Sequence, residues 1–252
     1  MGFFTNGLVQ SANIGGNVRY FNNSMFDAFN NCPNFNAYVS IPEGTANLAN
    51  AFQNCANFNQ PVTLPNSVTN LRYAFRGCSR LNTPIEIPNG VIDVRSTFFG
   101  CSNFDQCIVI PENIQSLFQT FWACGNFNQP VAIPNSVVDM YGTFYYCKNL
   151  IQTINIPSNV TNLAYTLGFC GNIPEIYIRS KEVTNVFGFL TGRNAYFKRI
   201  NVFIPRSGNT YNTIFKNNGS ANQLIPGVNL SWTFSTVWRF NGTYNIWIYN
   251  NL

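Results

Sequence analysis

Seven of the chain's eight cysteines, Cys32, Cys55, Cys78, Cys101, Cys124, Cys147 and Cys170, follow one another at intervals of 23 residues. Thiols repeated in register could pair as disulfides or hold a metal ion. Equivalent positions in a stacked array lie about 4.8 Å apart with parallel Cβ vectors, whereas a disulfide wants Cβ atoms near 3.8 Å. Seven is an odd number, and neither a Cys-x-x-Cys pair nor a histidine accompanies them. The sequence therefore predicts buried free thiols that act as small apolar fillers. Cys107 is off register, in the slot that Pro61, Pro84 and Pro130 occupy, and is the cysteine expected to be exposed.

The absence of histidine removes the commonest general base and excludes hydrolases of the Ser/His or Cys/His kind. The nine carboxylates are scattered, with no acidic pair recurring at a spacing that suggests acid/base work. Glu86, Asp105 and Glu112 are the residues a glycan-cleaving activity would have to use, and no turnover is expected of them. There is no Gly-rich phosphate loop and no Gly-x-Ser-x-Gly elbow. No catalytic residue, metal ligand or cofactor is assigned, and the chain is expected not to be an enzyme.

The period that carries the cysteines also carries Phe29, Phe52, Phe75, Phe98, Phe121 and Phe144, closed by Leu167, and Pro42, Pro65, Pro88, Pro111, Pro134 and Pro157. A fixed period of this length marks a solenoid of copied supersecondary units. Within each unit Val62 and Leu64 alternate around Thr63, as do Ile85/Ile87, Ile108/Ile110, Val131/Ile133 and Ile154/Ile156, which predicts one short inward-facing strand per repeat. Proline ends that strand. Val68, Leu71, Phe75 and Cys78 then follow at spacings of three, four and three, which predicts a short helical or 3₁₀ segment with those residues on its inner side. The fold class read from the sequence is thus an α+β repeat solenoid with parallel strands, closed by a β-rich C-terminal cap.

Charged residues make up 9% of the 252-residue chain, against roughly 25% in an average domain. Hydrophobic residues make up 46%, ample for a core. The organisation predicted is residues 1–20 as an N-terminal cap or docking segment, 21–190 as the solenoid and 191–252 as the cap. The 191–252 segment is expected to contain a hairpin around Asn241-Gly242. The first eighteen residues do not read as a secretory signal and no stretch approaches transmembrane length, so no membrane insertion is expected. Asn34, Asn57, Asn103, Asn126, Asn149 and Asn172 share one slot and are expected to form a ladder that caps turn carbonyls.

The pattern IPNSVxxLxxAFxxCxxL, as in Pro65 to Leu81 and Pro134 to Leu150, resembles the 23-residue leucine-rich repeat of the BspA, or Treponema, type. The FNQPV segments (Phe58 to Val62 and Phe127 to Val131) resemble related bacterial surface repeats. The resemblance spans about Phe21 to Leu190. It implies a curved, right-handed leucine-rich-repeat coil of surface proteins that bind other molecules without catalysis.

Positions that vary while the frame stays constant are the candidates for recognition. The slots after the inward Leu and after the inward Phe read Arg72/Arg76, Arg95/Phe99, Phe118/Trp122 and Tyr141/Tyr145 through successive repeats. This stripe is basic at one end and aromatic at the other, and suits contact with a protein or a cell-surface glycan. The basic residues are too thinly spread for nucleic acid to be the expected partner. The expected setting is a bacteriophage virion, as a receptor-binding or decorating component alongside other virion proteins, with a bacterial cell-surface adhesin as the alternative.

Overall fold

The computed structural model describes residues 23–171 and 173–191, and the backbone of two further strands, 200–203 and 246–249. The repeats stack as rungs that begin at Ser24, Asn47, Asn70, Asp93, Ser116, Asp139, Asn162 and Asn185, most of them bridged in parallel to the equivalent residue of the next rung. At each start the side-chain oxygen accepts the N–H two residues on, as Asn47 Oδ1 does from Ala49 and Asp139 Oδ1 does from Tyr141. These Asx-type turns set the chain's direction into the rung.

The segment predicted as helical is a ribbon of tight turns, and no helix occurs among the described residues. Its backbone donors divide in alternation. In the rung that begins at Ser116, Leu117, Gln119, Phe121 and Ala123 donate to Asp139, Tyr141, Thr143 and Tyr145 of the next rung. Thr120, Trp122 and Cys124 donate back three residues within their own rung, to Leu117, Gln119 and Phe121. Such a ribbon needs left-handed backbone twice per rung, four residues apart: Asn50 and Asn54 have φ of 57° and 59°, Gln119 and Ala123 53° and 58°. A helix cannot pass through these positions. Asn and Gly tolerate them best, which is why Asp27, Asn31, Asn50, Asn54, Gly77 and Gly100 stand there.

The side chains predicted to face inward do so, because successive four-residue turns bury the same slots as one face of a helix. Leu71, Ala74, Phe75 and Cys78 are fully buried, as are their equivalents Leu117, Thr120, Phe121 and Cys124. The phenylalanines form two interleaved columns. Phe52, Phe75, Phe98, Phe121 and Phe144 stack with ring centroids 5.4–5.9 Å apart. Phe58 and Phe127 stack on Phe52 and Phe121 within their own rungs. No disulfide joins any of the eight cysteines, and Cys107 alone is exposed. The buried thiols are more than fillers: Cys78, Cys101 and Cys124 each donate to the carbonyl of the preceding rung's Phe52, Phe75 and Phe98 at 3.0 Å. Burial pushes the Cys55 thiol up to about 12 and those of Cys78, Cys101 and Cys147 well above the ordinary range.

Strand pairing departs from the expectation of one strand per repeat. The paired strands are β1 (Ile154–Ile156), β2 (Glu175–Ile178), β3 (Ile200–Phe203) and β4 (Ile246–Tyr249), in a parallel sheet of order β1-β2-β3-β4. The reason lies in the residue after the strand. Arg179 N–H donates to Ile156 O at 2.9 Å, and the corresponding slots of earlier rungs hold Pro65, Pro88, Pro111 and Pro134, which have no N–H to give. The extended segments around Thr63, Glu86 and Val109 bury their alternate residues, and the one around Ala132 half-buries Val131 and Ile133, without a backbone ladder. β4 pairs in parallel with β3. The hairpin expected around Asn241-Gly242, the remainder of the C-terminal cap and the 1–20 segment lie outside the described residues.

Three outcomes follow from this packing. Phe121→Ala should lower the unfolding free energy by about 3–5 kcal/mol in urea titration, because both ring neighbours lose a contact face. Ala123→Gly should raise it by about 1 kcal/mol, since glycine adopts the left-handed backbone without a Cβ penalty. The thiols of Cys55, Cys78, Cys101, Cys124 and Cys147 stay neutral in the folded chain at pH values where they ionise in the unfolded one, so their contribution is complete below the ordinary thiol value of 9.0 and, for Cys55, is lost as pH rises toward about 12. Stability measured by denaturant across that window should fall, and Cys55→Ala should reduce the slope by about 1.4 kcal/mol per pH unit.

Candidate functional site

Of the carboxylates considered for acid/base work, one is a ladder acceptor and two are exposed. Asp105 Oδ1 is committed to structure, accepting from the Asn128 N–H and from Gln129 Nε2, both at 2.9 Å. Glu86 and Glu112 are exposed. Among the described residues no three His, Cys, Asp or Glu side chains group in a way that could hold a metal ion.

The amide ladders have a different division of labour from that expected. Asn57 and Asn126 meet Asn34 and Asn103 only side chain to side chain, at 3.4–3.5 Å. The ladder that caps backbone lies two residues later, in the Asn of the FNQ motif. Asn36, Asn59, Asn82, Asp105 and Asn128 each accept the N–H of the equivalent residue one rung on. The following Gln60, Gln106, Gln129 and Gln152 donate to the same acceptors. The slot is where the extended segment begins, and the amide satisfies a donor that its proline-flanked neighbours cannot pair.

The variable stripe lies on the outward side of the turn ribbon. Phe99 stacks on Trp122 at 5.7 Å, Trp122 meets Tyr145 at 4.1 Å, and Phe118 stacks on Tyr141 at 5.0 Å. The rings thus contact their counterparts along the solenoid axis, one rung to the next. The two columns join through Tyr165, whose ring stands in T-shaped contact with both Tyr141 and Tyr145 at 5.6 Å. Glycines make room for the rings. A Cβ added at Gly142, whose φ is +58°, would meet Trp122 Cε3 at 2.6 Å, and one at Gly168 would meet Tyr145 Cε2 at 2.6 Å.

The arginines form the other end. The Arg76 guanidinium lies 4.4 Å over the Phe99 ring and 5.3 Å from that of Tyr73, and Arg72 lies 4.9 Å over Tyr73. Arg95 turns back onto Asp93, with its Nη2 2.6 Å from Oδ2. Partial burial pushes the Asp93 carboxyl up, but the hydrogen bonds and charge of Arg95, joined by the charge of Arg72, outweigh it and hold the group below the usual range. Burial raises the phenols of Tyr141 and Tyr145.

The structure therefore places Arg76, Phe99, Trp122 and Tyr145 in one contact column, Phe118 and Tyr141 in a second, and Arg72 beside them, while Arg95 is occupied by its own ion pair. Helical spacing missed Tyr73, Tyr146, Tyr165 and Phe169, which belong to the same surface, while Phe187 continues the slot of Arg72, Arg95, Phe118 and Tyr141 two rungs further on. Tyr146 stacks on Phe169 at 4.4 Å, and Tyr165 meets Phe187 at 5.3 Å. Tyr73, Tyr146, Tyr165 and Phe169 occupy the left-handed turn slots, with φ between 54° and 63°. The signal that points to them is the column in which Asn, Asp and Gly alternate with these aromatics at the repeat period. All of these rings are half-buried, with no ring of the surface standing clear of its neighbours.

Among curated proteins no relative matches the chain. Among solved structures, a leucine-rich repeat protein from Bacteroides ovatus is similar, with 17% identity and a TM-score of 0.46 over 74% of this chain. The chain spans 54% of that protein's length. The profile of the BspA type leucine rich repeat region matches in six copies, over residues 2–72 and 47–172. With its repeat frame carried through the buried ladders described above, the chain belongs to the BspA type leucine-rich repeat family.

Proposed function

We propose that this leucine-rich repeat scaffold is a non-catalytic recognition protein that engages a protein or a cell-surface glycan through the outward face of its turn ribbon. The observation that carries this reading is the contrast between slots. The inward phenylalanine and cysteine slots keep their residue through six successive rungs, from Phe29 and Cys32 to Phe144 and Cys147. On the ribbon face the sequence changes from Arg72 and Arg76 to Phe118 and Trp122 and then to Tyr141 and Tyr145. Packing alone does not require that change, and exposed aromatic surface on a folded chain commonly marks an interaction site. The enzymatic alternative has little support, because Asp105 is tied into a backbone ladder and Glu86 and Glu112 are exposed.

The setting we propose is a bacteriophage virion, where the protein would serve receptor binding or decoration and other virion proteins would be partners. The lack of disulfides favours it: a chain whose eight cysteines form no disulfide suits folding in a reducing cytosol followed by release on lysis. The family resemblance favours the second reading, an adhesin on a bacterial surface.

Fractionation of the native source distinguishes them. Co-purification with virions and binding to host-envelope fractions is expected, and Trp122→Ala combined with Tyr145→Ala should weaken envelope binding at least about tenfold. Recovery with the outer surface of uninfected cells would favour the adhesin, and a free cytosolic monomer that binds no envelope fraction would contradict both.

A further inference from the structure

We infer that the partner of the ribbon face is a protein surface that joins carboxylates to an apolar patch, and not a carbohydrate. This rests on the recognition reading above and names its partner class. Sugars pack their C–H groups on the open faces of aromatic rings, and here the faces of the central rings, Phe99 and Trp122, are taken. Trp122 lies between Phe99 and Tyr145. The other face of Phe99 carries the Arg76 guanidinium, and Tyr146 is stacked on Phe169 with planes 2° apart. What such stacks leave to a partner is ring edges and tyrosine hydroxyls. Ring edges are the positive rim of the aromatic quadrupole, so a comb of edges attracts carbonyl and carboxylate oxygens while offering apolar area.

The charges reinforce this. The Arg95–Asp93 contact is the one ion pair among the described residues, and Arg72, Arg76 and Arg80 have no carboxylate within salt-bridge distance there. Arg72 and Arg76 are already held on the Tyr73 and Phe99 rings. Two guanidiniums whose side-chain freedom is spent in the free protein lose less on pairing with an incoming carboxylate. The column from Arg76 to Phe169 crosses five rungs, about 20 Å at 4.8 Å per step, a length on the scale of a standard protein interface. Arg, Tyr and Trp are also the residue types that dominate such interfaces.

The test uses the full chain and four defined probes: a random Glu/Tyr copolymer, poly-Glu, dextran sulfate and neutral dextran. The copolymer should bind at least about tenfold more tightly than poly-Glu or dextran sulfate, and several-fold more weakly as salt rises from about 50 to about 500 mM. Arg72→Ala combined with Arg76→Ala should cut copolymer binding at least about tenfold, while Arg179→Ala combined with Lys181→Ala, an equal change of charge at two exposed positions elsewhere, should leave it unchanged. Trp122→Ala should abolish the preference for copolymer over poly-Glu, and Phe118→Ala gives the same readout should the first variant fold poorly. Copolymer that fails to bind, that binds no better than dextran sulfate, or that is insensitive to the arginine pair overturns the inference. Dextran binding that Trp122→Ala removes would assign the face to a glycan. If the copolymer fails while the Trp122/Tyr145 pair is still needed for envelope association, the recognition reading stands and only the partner class falls.

Discussion

The structure depends on how the turn ribbon divides its backbone donors. One N–H closes a turn within its own rung and the next reaches across to the rung that follows, as with Thr120 to Leu117 and Phe121 to Thr143. Neither half of this pattern is complete alone. A single rung would leave its alternate donors unpaired, and an unpaired buried amide is costly, so the array forms as a stack or not at all. The register also fixes side-chain position, since each cross-rung bond aligns a residue with a partner 22 further on and sets like residue above like.

The buried ladders follow from that alignment. Phenylalanine stacks on phenylalanine because the backbone holds the rings one rung apart, and the thiols of Cys55, Cys78, Cys101, Cys124, Cys147 and Cys170 each reach a phenylalanine carbonyl of the preceding rung. The cysteine slot thus combines small volume with a weak donor, which Ala would not supply. Where the core is less uniform the chain compensates locally. Ala28, Ala51 and Ala74 give way to Thr97, Thr120, Thr143 and Thr166, whose hydroxyls donate to buried carbonyls such as Leu71 O and Met140 O. The outward positions are released from these demands, and the aromatic and arginine column occupies that freedom.

Much of this was legible in the residues. The 23-residue register of cysteine, phenylalanine and proline identified the solenoid, the inward set and the exposed Cys107. The conformation joining the inward residues was not legible from spacing, because paired four-residue turns and a helix bury the same slots. The clue lay between them, in Asn50, Asn54, Gly77 and Gly100, types suited to left-handed backbone. Strand pairing was over-read for a related reason: alternation around Thr63 reports burial, while pairing needs donors that Pro65 and its equivalents lack. For the candidate surface, the two arginines and five aromatics of the helical stripe came together, but Tyr73, Tyr165 and Phe169 were invisible to a helical template because left-handed turns point them outward.

Native-state hydrogen exchange resolved by residue tests the ribbon most directly. The alternating bond pattern predicts that the amides of Gln119, Phe121 and Ala123 are protected together with those of Thr120, Trp122 and Cys124, to nearly the free energy of global unfolding, while the amides of Val62, Thr63 and Leu64 exchange far faster. Slow exchange at 62–64 with rapid exchange at 119–123 would mean that a conventional strand ladder holds the rungs together, and would contradict the account.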